Sequence, residues 1–149
     1  MILRTILIGL LLTGFSMPAV RAQELTEEQK SALAEKIRAG ISAAEEWLRL
    51  VDDEKYSASW EQSASFFKER VPDGQWETTL RQVRSPLGKT KSREVLKYQY
   101  ATSLPGVPQG EYVVIQFKTS FDEKADAVET ITPMMDADGQ WRVSGYYIR

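Results

Sequence analysis

The hydrophobic period changes once along this chain, and that change limits the fold more than any other feature. From Thr26 to Val83 the apolar residues recur at intervals of three and four, and from Arg93 onward they alternate. The first pattern makes one face of a helix; the second makes one face of a half-buried strand. The stretch between them, RSPLGKTKS, contains Pro86 and Gly88, which end regular structure. Helices followed by consecutive strands with short turns predict an α+β domain. The expected architecture is about three N-terminal helices packed on a curved antiparallel sheet of about four strands, cone-like in outline.

Leu33, Ile37, Gly40, Ala44, Trp47 and Val51 lie along one face of a long first helix, with Thr26 as its cap. Ile41 and Leu48 widen that stripe. Gly40 costs about 1 kcal/mol against alanine in a helix interior, so it either admits a close neighbour or is neutral. Tyr56, Trp60, Ala64, Phe67 and Val71 predict a second helix, ended by Pro72. Asp73 caps a third, in which Trp76, Leu80 and Val83 align. In the strands, Leu96, Tyr98, Tyr100 and Leu104 are expected to face inward, as are Val113, Ile115, Phe117 and Phe121. Ala127–Met135 has mixed parity. The last strand, Gln140–Arg149, follows the turn DADG. Regular alternation puts its Trp141, Val143 and Tyr147 on the inner face, and Arg142, Ser144, Tyr146 and Ile148 on the other.

The N-terminus has the form of an export signal. Arg4 precedes an apolar run from Ile6 to Phe15, and SMPAVRAQ supplies Pro18 and small residues around a cut after Ala22. The run is far short of the roughly 20 residues that span a bilayer, so no anchor is expected after cleavage. The domains are then residues 1–22, the signal, and residues 23–149, a single α+β domain. Losing Arg4 and Arg21 reduces the 19 basic residues to 17, against 21 acidic ones, a net charge of −4. That balance argues against a nucleic-acid partner. The chain has no cysteine and no histidine. Without them there is no disulfide, thiol nucleophile or lipid-accepting cysteine. Ser-His-Asp and Cys-His catalysis and the common zinc sites are excluded too. Neither a cofactor nor a metal is expected, and the location is periplasmic or secreted.

Several blocks occur in order after the signal: AAEEWLRLVDDEKYSASWEQSASFFK, RSPLGKTKSRE, SLPGVPQGEYVVIQFKTSF, ETIT and DGQWRVSGYYIR. Together they resemble the family of exported bacterial proteins catalogued as domain of unknown function 4019. The resemblance covers about Ala43 to Arg149. It implies compartment and fold, and no activity. The ending also resembles, more loosely, the last strand of cone-shaped domains related to nuclear transport factor two. In those domains a curved sheet wraps a long N-terminal helix, and fold alone does not assign function.

Three groups of residues are candidates for chemistry. Trp60, Tyr98, Tyr100, Phe117 and Trp141 would line a pocket for an apolar or ring-shaped ligand, or would simply form the core. Glu129 could be a buried general base, as an acidic residue is in cone-fold isomerases, or a solvent-facing residue, or half of an ion pair with Arg142 or Arg93. Arg84, Lys89, Lys91 and Arg93 could grip an anion or form a solvated loop, and their spacing does not match a phosphate loop. Asp136, Asp138 and Gly139 read as a hairpin turn, since no later ligand completes a calcium loop. The leading functional reading is a soluble, non-enzymatic module that binds a small ligand or an envelope protein. The alternative is a carboxylate-dependent isomerase or hydrolase acting on a small apolar substrate in the cone pocket. Apolar groups on both faces of the last strand also suggest a homodimer through the outer sheet face.

Overall fold

The computed structural model describes residues 24–149; the expected signal lies outside the described residues. Helix α1 spans Glu27–Asp52, α2 Tyr56–Glu61, α3 Ser65–Lys68 and α4 Asp73–Arg84, followed by a 3-10 turn at Ser85–Leu87. The strands are β1 (Thr90–Ala101), β2 (Tyr112–Phe121), β3 (Ala127–Met135) and β4 (Trp141–Ile148), paired antiparallel in the order β1-β2-β3-β4. This is the expected α+β class, a helix-covered meander whose sheet does not close.

Thr26 caps α1 as expected, and the cap is reciprocal: its hydroxyl accepts the Gln29 N–H while the Gln29 side chain accepts the Thr26 N–H. The stripe Gly40, Ala44, Trp47, Leu48 and Val51 is buried. It meets Tyr56, Trp76 and Leu80 from the shorter helices, and Val113, Ile115, Phe117, Ile131 and Val143 from the sheet. Trp47 lies at the centre, tilted against Trp76 at 5.8 Å and edge-on to Tyr146 at 5.2 Å. The helices therefore cover one face of the sheet with aromatic side chains. A smaller cluster of Ala64, Tyr112 and Met134, with Phe66, Leu104 and Val107 against it, packs separately. Tyr112 follows the opposite parity to Val113, so this cluster belongs to the other face.

Five sequence expectations need correction. Asp73 is the first residue of α4 and not its cap: Pro72 holds the cap position without a side-chain hydrogen bond, and the Asp73 carboxylate accepts the Ser57 hydroxyl at 2.8 Å. The second helix divides into α2 and α3 because side chains take its hydrogen bonds. The Ser59 carbonyl accepts from the Ser63 hydroxyl at 2.8 Å and from Trp47 Nε1 at 2.8 Å. The Ala64 N–H then turns to the Val143 carbonyl of β4. In α4, Val83 is 42 % exposed, and Arg84 takes the inward position beside it.

The other two corrections come from bulges. The β1–β2 register slips between Val95 and Lys97, which leaves Leu96 without a partner. Val95, Tyr98 and Tyr100 then sit opposite Phe117, Ile115 and Val113, and so share the helix-covered side. Leu96 and Tyr98 are nevertheless 54 % exposed, at an edge the helices do not cover. In β4, Thr132 pairs with Gly145 and Pro133 with Val143, so Ser144 is the extra residue. Its hydroxyl donates to the Thr132 carbonyl at 2.8 Å. Beyond this bulge the parity reverses. Tyr146 joins Trp141 and Val143 on the inner side, and Tyr147 is 62 % exposed.

Candidate functional site

Charged side chains from four elements meet at one end of the core. Asp52 ends α1, Arg84 ends α4, Arg93 lies in β1 and Glu129 in β3. Arg93 fastens the group. Its Nε donates to Glu129 Oε2 at 2.6 Å, and its terminal nitrogens donate to the two Asp52 oxygens at 2.7 and 3.0 Å. Arg84 donates to Asp52 Oδ1 at 2.8 Å and to the Tyr146 hydroxyl at 3.2 Å, and lies 3.6 Å from Glu129 Oε1 as an ion pair. The Tyr146 hydroxyl in turn donates to Glu129 Oε1 at 2.5 Å. Thr119 donates to Glu129 Oε2 at 2.6 Å, and Thr90 to Asp52 Oδ1 at 2.9 Å. The guanidinium of Arg84 also stacks 4.8 Å from the Phe121 ring centre.

Two guanidiniums and two carboxylates balance in charge. That balance is what makes burial tolerable, since an unpaired charge in the interior is very costly. Glu129 is fully buried and Arg84 is 5 % exposed. Burial pushes the Asp52 carboxyl up, but the hydrogen bonds from Arg93 and Arg84 outweigh it and hold the group below its ordinary range. Burial pulls both guanidiniums down, but Tyr146 and Asp52 raise Arg84, and Asp52 and Glu129 raise Arg93, by more. Burial first, then the Glu129 charge, pushes the Tyr146 hydroxyl well above its usual value, so it remains a donor. Arg84 Nε alone in this cluster is buried without a partner.

The expected site residues distribute as follows. Glu129 and Arg93 come together as the ion pair that was one of the three readings of Glu129. Arg84 joins them inside. Lys89 and Lys91 remain on the surface around Asp122, whose carboxylate accepts the Lys89 N–H at 2.9 Å and lies 3.6 Å from Lys91 Nζ. The four basic residues thus divide into an internal pair and an external pair. The five aromatics do not line one pocket. Phe117 is core, 1 % exposed. Trp60 donates its N–H to the Val71 carbonyl at 2.6 Å. Tyr100 donates to Glu111, which also pairs with Lys36. Tyr98 is exposed, and Trp141 lines a surface cleft of about 340 Å³. Among the described residues no group of three or more acidic, histidine or cysteine side chains is placed to hold a metal.

Asp52, Thr119 and Tyr146 were not read as site residues. Asp52 had a visible signal: it follows Leu48 by one helical turn and puts a charge in line with the apolar stripe. Tyr146 had none, because regular alternation places it outside.

The geometry defines a helix-covered antiparallel meander closed at one end by a buried, charge-balanced cluster. The chain belongs to the family described as protein of unknown function (DUF4019), whose model matches residues 43–146, a span that includes every member of the cluster. No curated protein and no solved structure matches it. The likeness to nuclear transport factor two therefore rests on the closing motif alone. Among the described residues no helix is long and apolar enough to cross a membrane.

Proposed function

We propose that the protein is an exported, non-catalytic binding module of the bacterial cell envelope, released behind Ala22 into the periplasm or the medium. Its partner is a small ligand or an envelope protein. The observation that supports the binding part is the state of Glu129. A general base needs an oxygen free to face its substrate at hydrogen-bond distance. Both Glu129 oxygens are occupied, and the residue has no exposed surface. The space above the sheet is filled by Trp47, Trp76 and Phe117. Binding surface remains in the polar clefts outside. The export part is supported by the residue pattern before Gln23.

Native mass spectrometry of protein recovered from its own periplasm tests both parts. The expected species begins at Gln23 and carries a co-purifying molecule or protein. Retention of residues 1–22 would overturn the export part. Turnover of small esters or enolisable ketones, abolished by Glu129→Gln in a folded variant, would restore the isomerase or hydrolase alternative. Self-pairing through the outer sheet face belongs to the same reading, with exposed Tyr147 as its apolar contact. Tyr147→Ser is expected to convert a dimer at high micromolar concentration to monomer in sedimentation.

A further inference from the structure

The cleft beside Trp141 lies away from the charge cluster. Three of the four tryptophans fix their indole N–H inside the protein: Trp47 on Ser59 and Ser63, Trp60 on Val71 and Trp76 on Ser59. Trp141 has no such acceptor among the described residues. Its half-buried ring lines the cleft with Glu46 of α1, Glu61 and Gln62 at the end of α2, and Gln140 and Arg142 around the start of β4.

The lining selects a ligand class. Glu46 and Glu61 enter no ion pair among the described residues. Arg142 is already committed, with Asp138 gripped at 2.6 and 2.7 Å and Asp136 at 3.4 Å. The local field is therefore negative and disfavours an anion. So polar a rim disfavours a wholly apolar ligand. A lone ammonium would use the carboxylates and the indole face but leave both amides idle. A sugar ring uses the indole, both free carboxylates and both amides. Its polarised C–H face stacks on the negative face of the indole. Its hydroxyls donate to the carboxylates and exchange hydrogen bonds with the amides of Gln62 and Gln140. We infer that this cleft is a saccharide subsite that takes an uncharged or amine-bearing pyranose and rejects acidic sugars. The inference rests on the binding-module reading and gives it a ligand class.

Indole N–H signals in a ¹⁵N-labelled sample supply the test, with Trp141 assigned by Trp141→Phe. Short neutral N-acetylhexosamine oligosaccharides are expected to shift the Trp141 signal at millimolar concentration and to slow its exchange with water. Gln62→Ala and Gln140→Ala, both exposed and outside the core, are expected to weaken that response about tenfold, the loss of one good hydrogen bond. A Trp141 signal unmoved by neutral and amine-bearing oligosaccharides would overturn the inference. So would an equal response to an acidic oligosaccharide, or a response to a lysine-rich peptide alone. A ligand found in the native mass experiment would still support a binding module after any of these results, so the two failures are distinguishable.

Discussion

Gly40 occupies the interior of α1, where alanine would gain about 1 kcal/mol of helix propensity. A Cβ there would stand 2.7 Å from Val113 Cγ2 and 2.9 Å from Val113 Cβ, closer than packed carbons approach. Overpacking of this kind costs about 1–3 kcal/mol. Gly40→Ala is therefore expected to lower stability by about 1 kcal/mol net in urea unfolding. The penalty should shrink in a Val113→Ala background, which removes the nearer carbon. Sequence spacing located Gly40 on the buried face but could not name its neighbour, because the contact is with a strand some seventy residues away. The two adjacent tyrosines show the same dependence on context. Tyr146→Phe removes a hydrogen bond to a buried carboxylate and is expected to cost about 1.5–3 kcal/mol. Tyr147→Phe, at an exposed position, should stay within about 0.5 kcal/mol.

The buried cluster joins the last residues of α1 and α4 to β1 and β3, so its loss should be felt by helices and sheet together. Arg93→Met leaves Glu129 without the nearer of its two cationic partners, and breaking a buried pair in this way costs about 3–5 kcal/mol. A double-mutant cycle with Glu129→Leu is expected to return a coupling above about 1 kcal/mol. The same ion pairs set the response to acid. Asp52 in the folded chain lies below the value near 3.9 that it has when unfolded. Its contribution is full above that unfolded value and is lost as pH falls through the lower folded one. In the β3–β4 turn the hydrogen bonds from Arg142 hold Asp138 down to about 2, so that turn keeps its charge pairing further into acid. Melting temperatures should fall below about pH 4, and Asp52→Asn should flatten that fall. Elements with an uninterrupted pattern were legible in the sequence: the cap and stripe of α1, and the alternation of β2. The break at Ser63 was not, since it depends on serine hydroxyls and Trp47 competing for one carbonyl. The shifted faces of β1 and β4 were not, since one extra residue reverses every position beyond it.

At the scale of the whole molecule, one aromatic-filled interface between helices and sheet holds the domain, and the charge cluster closes one end of it. Glu129 shows how much of the site could be read in advance. Its residue type and strand context left it a buried base, a solvent-facing residue or half of an ion pair, with Arg93 and Arg142 as the nameable partners; the pair with Arg93 is the one that forms. The remaining partners lay in the long-range docking of α1 and α4 onto the sheet, which a single sequence does not encode visibly. Removing Tyr146–Arg149 should unfold the domain, because Tyr146 packs on Trp47 and the Arg149 backbone exchanges two hydrogen bonds with Val128. A truncated chain with an unchanged melting temperature would refute that. The bulge in β4 has the opposite consequence for chain length. Ser144 stands opposite no residue of β3, so its removal would bring Val143 and Gly145 into step with Pro133 and Thr132. Tyr146 would still point inward. The strand thus carries one residue of slack, a place where the gene can lose a codon without exchanging the inside of the protein for its outside. A chain lacking Ser144 is expected to fold with Tyr146 still shielded from solvent, and relatives one residue shorter at this point would share the same core.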